Sequence, residues 1–185
     1  MEWIVLAAIV AVGFYVITLY NRLVKLRQMA KEGWSGISVQ LKRRADLIPN
    51  LMETVKGYMG HEKETLERVT ELRAKAEAVG DEHPAERAKV ESALTGALAN
   101  VMAVAEDYPD LKASENFKEL QEALEDTEDQ IEMSRRYYNG AVRNLNTAVE
   151  QFPSNLVAGQ FGFVSAEYFE LENQADRAVP KVSFN

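Results

Sequence analysis

The sequence predicts an all-α protein: an N-terminal transmembrane helix continuing into a long antiparallel helical bundle of four main helices plus a short C-terminal helix. Three observations carry this. Trp3 to Tyr20 is free of charge. The remainder repeats apolar residues at spacings of three and four, the period of an amphipathic helix. The composition is rich in Ala, Glu, Leu, Lys and Arg with only five prolines, which favours helix over strand.

The charge-free run reaches about 27 Å at 1.5 Å per residue, close to the hydrocarbon thickness of a bilayer. Trp3 and Tyr20 sit at its two ends, where amphipathic rings favour the membrane–water interface. A cleaved signal peptide would need a basic leader and an Ala-x-Ala-like site. The chain instead opens Met1-Glu2 and leaves the run at Asn21-Arg22, which reads as a retained anchor. Arg22, Lys25 and Arg27 follow on one side only. The positive-inside tendency then puts residues 1–2 outside and the body in the cytoplasm of a bacterial cell, below its inner membrane. The expected partition is residues 1–2 outside, 3–20 in the membrane, 21–48 as a basic stem helix, 49–175 as the bundle and 176–185 as a tail. Ala7 and Ala11, four apart, would let two spans approach closely.

Charge divides the chain. Residues 21–60 hold eight lysines and arginines against three acids, whereas residues 61–185 hold 13 against 25, within a net charge of −8. A basic stem on an acidic body argues against nucleic acid as a partner and for a membrane surface or an acidic protein. Lys42-Arg43-Arg44 lies about 36 Å beyond Tyr20 along a continuous helix, several Debye lengths from the headgroups, so a protein contact is preferred for it over lipid. The acidic run Glu125, Asp126, Glu128 and Asp129 is either a solvated helix face or the dock for that triplet, within one subunit or between two.

The stem stripe runs Leu23, Leu26, Ala30, Trp34, Ile37, Leu41 and Leu47 with one gap, and Gly33 and Gly36 beside Trp34 suggest another helix packed close. Pro49 lacks an N–H and its ring opposes the preceding turn, so it is expected to be a hinge where the stem ends at about residue 45. A second helix follows over about 49–78, closed by Gly80. Pro84 opens a third over about 84–106. Tyr108-Pro109 reads as a turn. Ser114 is placed to cap a fourth helix, about 114–151, whose seam from Phe117 to Phe152 resembles a coiled coil. Residues 155–163 have no clear period. A fifth helix is expected over 165–175, then an extended tail.

No catalytic site, metal site or cofactor site emerges, and none is expected. The chain has no cysteine, which excludes disulfides, thiolate–zinc sites and thiol nucleophiles. Its two histidines, His61 and His83, lack the Glu-x-x-His spacing of di-iron bundles. His61-Glu62 lacks the second histidine of a zinc-protease motif. Both are expected to be exposed at loops or helix starts. No phosphate-binding glycine loop or nucleophile elbow is present.

Several runs together resemble the LemA family of bacterial membrane proteins. They are Tyr20-Asn21-Arg22-Leu23-Val24, then Trp34-Ser35 through Leu41-Lys42-Arg43-Arg44-Ala45-Asp46-Leu47-Ile48-Pro49-Asn50-Leu51, then Tyr108-Pro109-Asp110-Leu111-Lys112-Ala113, Tyr138-Asn139, Phe152-Pro153, Gly162-Phe163 and Pro180-Lys181-Val182. The resemblance implies a single-pass protein with a cytosolic helical bundle, in a family with relatives among magnetosome proteins. It implies no enzyme. It also implies a link to membrane proteases of the HtpX type. The reading is therefore a membrane-anchored scaffold that contacts lipid and assembles as a homo-oligomer, with an adaptor for a membrane protease or quality-control system as the alternative.

Overall fold

The structure is a computed structural model and describes residues 1–60, 62–80 and 83–170. Six helices lie among the described residues: α1 (Glu2–Lys56), α2 (Lys63–Val79), α3 (Pro84–Ala105), α4 (Pro109–Ala113), α5 (Glu115–Glu150) and α6 (Ser154–Gln160). No strand occurs among the described residues. The all-α expectation holds.

The described residues form two compact units, residues 1–41 with 129–168, and residues 42–128 with 169–170. The second unit has a shared apolar core. Ile48, Leu51, Met52 and Val55 of α1 meet Leu66, Val69, Leu72 and Ala76 of α2, Leu94, Leu98 and Val101 of α3, Leu111 of α4 and Phe117 and Leu124 of α5. On α2 and α3 these residues recur at spacings of three and four, and Phe117 and Leu124 of α5 stand seven apart, so one stripe per helix leaves water.

In the first unit, α1 and α5 approach at Gly33. A Cβ built there would lie 3.0 Å from the Tyr138 Cα and 3.1 Å from the Tyr137 ring, tighter than side chains ordinarily pack, so glycine suits the approach. A Cβ on Gly36 would meet nothing within 4 Å, so Gly36 does not serve the close packing expected of it. Further along, Leu19, Leu23, Ala148, Val157, Ala158 and Phe163 form a second core joining α1, α5 and α6.

Pro49 is not a hinge. α1 is helical from Glu2 to Lys56 with Pro49 inside it, so the second helix does not begin at residue 49. A turn after Lys56 separates α1 from α2 instead. Proline removes the donor to the carbonyl four residues back, a loss of about 3 kcal/mol or more in a helix interior. That carbonyl belongs to Ala45, and Arg73 Nε of α2 donates to it at 2.9 Å. Pro49 itself faces outward, while Ile48, Leu51 and Met52 beside it are buried. Tertiary packing holds the helix through the proline.

Gly80 closes α2 with φ +66°, and Pro84 stands at the start of α3, both as expected. The Tyr108-Pro109 turn is followed by α4, a single short helix. Ser114 precedes α5 with extended backbone, and its carbonyl accepts the Lys118 N–H at 3.2 Å, the bond of a residue at a helix start. The stretch without a clear period contains α6. The fifth helix expected over 165–175 is not formed in its described part, residues 165–170, and its remainder lies outside the described residues, as does the tail. Its backbone is held otherwise. Asn146 clamps residue 166, its Nδ2 donating to the Ala166 carbonyl at 3.0 Å while its Oδ1 accepts the Ala166 N–H at 2.8 Å. Such side-chain bonds replace the ladder a helix would use.

Candidate functional site

Two places combine chemistry-bearing residues: the exit of the apolar helix in the first unit, and a buried charge cluster in the second.

α1 is the only helix among the described residues long and apolar enough to cross a membrane, and residues 3–20 are its charge-free window. A core helix of equal hydropathy would be covered by its own chain. Here the side chains stand outward, with Trp3 82% exposed and Ile4, Ile9 and Phe14 nearly as open. Lipid is the solvent that suits such a surface. A shallow groove lies over Ala7 and Ala11, walled by Trp3, Val10, Phe14 and Thr18.

At the far end of this window Tyr20 meets the segment that follows α6. Its ring stands edge-on to Phe161 with centroids 5.0 Å apart, and edge-on to Phe163 at 5.6 Å. Two turns on, the Arg27 guanidinium lies 4.9 Å over the Phe163 ring, a cation–π contact. Arg22 and Lys25 are exposed, free to meet an anionic surface. Of the interface residues read from the sequence, Tyr20, Arg22, Lys25 and Arg27 lie within two turns of α1, and Trp3 lies towards its opposite end.

Further up the same unit, Trp34 packs against Tyr138 with centroids 5.4 Å apart. The Tyr138 hydroxyl donates to the Glu167 carbonyl at 2.7 Å. Burial, with a smaller push from the Glu167 charge, raises the Tyr138 phenol to about 12.

The second place centres on Arg44, 1% exposed. Its Nη1 donates to both carboxylate oxygens of Glu128, at 2.8 and 2.7 Å, and to Thr95 Oγ1 at 2.6 Å. Its Nη2 forms an ion pair with Glu91. Arg87 Nε donates to the other Glu91 oxygen at 2.6 Å, and its Nη1 reaches the Gly80 carbonyl at 3.2 Å. Thr95 donates to Glu128 at 2.7 Å. Two guanidiniums face two carboxylates, so the cluster is neutral, and each carboxylate oxygen accepts at least one bond. Arg44, Arg87 and Glu91 are buried and Glu128 is part-exposed; burying charge is costly unless it is mutually satisfied, and here every carboxylate oxygen is paired, while Arg44 Nε is buried with no hydrogen-bond partner. The arrangement ties α1, α3 and α5 at one register.

Of the predicted triplet, Arg44 alone reaches the acidic run, and Glu128 alone receives it. Lys42 pairs on the surface with Asp46 at 3.6 Å. Arg43 is exposed. Glu125 accepts from Gln121 at 3.0 Å, and Asp126 and Asp129 face outward. The contact is within one subunit. Sequence reasoning missed Glu91, Arg87 and Thr95. The signal was present: Arg87, Glu91, Leu94, Leu98, Val101 and Ala105 recur by four and three, which places both charged residues on the buried stripe of α3. His83 is exposed at the start of α3 as expected, whereas His61 lies outside the described residues.

The LemA family model matches residues 33–184, most of the chain. This chain belongs to the LemA family. Magnetosome protein MamQ 2 of Paramagnetospirillum magneticum is 25% identical over 184 aligned residues, covering 86% of this chain and 68% of the relative. Magnetosome protein MamQ of Magnetospirillum gryphiswaldense is 24% identical with the same coverage. Protein LemA of Metamycoplasma hominis is 28% identical over 152 residues, covering 81% of this chain and 68% of the relative. The family match begins at Gly33, beyond the apolar window, so it takes in both the Gly33–Tyr138 approach and the charge cluster of this LemA-family protein.

Proposed function

We propose that this protein is a membrane-anchored scaffold of the bacterial cytoplasmic membrane that assembles with copies of itself and carries no catalytic step of its own. Its N-terminus lies outside and its helical body in the cytoplasm. The observation that carries the reading is the contrast along α1. The first turns leave their apolar surface uncovered, including the groove over Ala7 and Ala11, while the body is packed. Parallel anchoring holds copies in one orientation and raises their effective concentration, so weak lateral contacts suffice for assembly. The small pair at Ala7 and Ala11 lets two spans approach. Basic Arg22, Lys25 and Arg27 hold the stem to anionic lipid and set the orientation.

The chain has no cysteine, so single cysteines report without background. Ala7→Cys and Ala11→Cys are expected to form disulfide-linked dimers on oxidation in native membranes, more efficiently than Ile9→Cys on another face. Equal or absent cross-linking at all three would remove the span as a lateral contact.

A second reading is an adaptor for an HtpX-like membrane protease or another quality-control partner. The exposed Val39, Met133 and Tyr137 on the body favour it, since large apolar side chains in water suit a protein partner. Capture of one distinct membrane protein at fixed stoichiometry, lost on Tyr137→Glu, would support that reading.

A further inference from the structure

Residues 151–166 carry no charged side chain, between Glu150 and Glu167, in a chain that is 27% charged. This stretch forms the turn that follows α5, then α6 and the segment after it. One side of it is core: Val157, Ala158 and Phe163 close on Leu19 and Leu23. The other side is open, with Phe152 73%, Leu156 64% and Val164 76% exposed. A folded acidic protein has no reason of stability to hold such a corner in water.

Its height relative to the span is fixed. Phe161 touches Tyr20, the last residue of the apolar window, at 5.0 Å between centroids. That is about one helical turn, 5.4 Å. The headgroup layer of a bilayer is roughly 5–8 Å deep on each side, from a total of about 40–45 Å around a core of about 30 Å. A ring at the level of Tyr20 therefore stands in the headgroup layer, and the open face beside it meets lipid and not bulk water.

We propose that the α6 corner is a second membrane contact: Phe152, Leu156 and Val164 insert into the cytoplasmic headgroup layer beside the span. This rests on the reading of residues 3–20 as a span and goes beyond it, because it fixes the body to the surface at a second point. The occupant is lipid, since the patch is continuous with the span through Tyr20 and Phe161. Phe and Leu partition favourably at this boundary, and the absence of charge removes the cost of desolvation. Two attachments orient the first unit relative to the bilayer, which a single span free to turn about its own axis does not.

The test uses full-length protein in vesicles of neutral and anionic phospholipid. An environment-sensitive fluorophore is placed on Phe152→Cys, Leu156→Cys or Val164→Cys, with Val10→Cys as the span control and Met133→Cys as the aqueous control. Blue-shifted emission at all three corner positions, quenched by lipids labelled near the headgroup and protected from aqueous iodide, is the expected result. Iodide-accessible emission at the corner, with Val10→Cys still quenched by lipid, overturns the proposal alone. Iodide-accessible emission at Val10→Cys overturns the span reading as well. Corner shielding that disappears on dilution into excess lipid assigns the patch to a second copy and also overturns the proposal.

Discussion

Arg73 Nε donates to the Ala45 carbonyl at 2.9 Å, the acceptor that Pro49 leaves without a helical donor. The guanidinium is held in place by Glu77, one turn on, at 2.8 Å. Arg73→Ala should destabilise the protein by about 1.5–3 kcal/mol, the range for a hydrogen bond to a charged group. In the Pro49→Ala background the restored N–H should take over the acceptor, and the effect of Arg73→Ala should fall to a few tenths. A double-mutant cycle by urea denaturation measures the difference. Additive effects would show that Arg73 does not compensate for the proline.

Glu91 is expected to be the most sensitive member of the charge cluster. It bridges Arg44 and Arg87 and is buried with both. Glu91→Ala strands Arg87 and leaves Arg44 with Glu128 as its one carboxylate, and should cost about 3–5 kcal/mol. Glu128, whose side chain is 36% exposed, lets water replace it, so Glu128→Ala should cost markedly less. Replacing Arg44, Arg87 and Glu91 together by Met, Met and Leu should recover most of the loss. Thermal melts followed by circular dichroism rank the variants, and equal losses for Glu91→Ala and Glu128→Ala would contradict the assignment.

How far these features were legible in the sequence depends on what each residue does. On α1, Ile37, Leu41, Arg44, Ile48, Leu51 and Val55 recur by four and three and are all buried. Reading apolar residues alone leaves a gap at Arg44, and that gap is where the charge enters the core. Period marked the stripe, but residue type was allowed to veto a member of it. Pro49 is the converse case. Its local chemistry argues for a break, and only a contact from α2, 24 residues later, offsets that preference. The close approach at Gly33 was readable because glycine has few other reasons to interrupt a stem helix. Gly36 shares that chemistry but has open space around it, which only the packing reveals. The corner around α6 has no helical period because two loops and one short helix share it. Its signal is the lack of charge.

Gly33→Ala should push α1 from α5, since the added methyl would lie 3.0 Å from backbone at Tyr138. A loss of about 1–3 kcal/mol is expected from overpacking. Gly36→Ala adds a methyl into open space and should be neutral or stabilise by up to about 1 kcal/mol. Chemical denaturation of the two variants side by side reads the contrast, and a Gly36→Ala loss equal to that of Gly33→Ala would contradict the assigned contact.

Tyr138 should be among the last tyrosines to ionise. Burial raises its phenol to about 12, against about 10 in the unfolded chain. Between these values the folded state holds a proton that the unfolded state has lost. Stability is therefore complete below pH ~10 and declines as pH rises towards 12. Ultraviolet titration should show a late phenolate step that Tyr138→Phe removes, together with a shallower alkaline loss of stability. An unchanged late step in Tyr138→Phe would place it on another tyrosine.

The most direct test of self-assembly is the mass of the purified full-length protein in mild detergent, measured by light scattering with the detergent contribution removed. The expected result is one discrete particle whose protein mass is a whole-number multiple of the chain, shrinking when Ala7 and Ala11 are both replaced by leucine. A particle of one chain, unchanged by that replacement and by protein concentration, would contradict the scaffold and leave the adaptor reading.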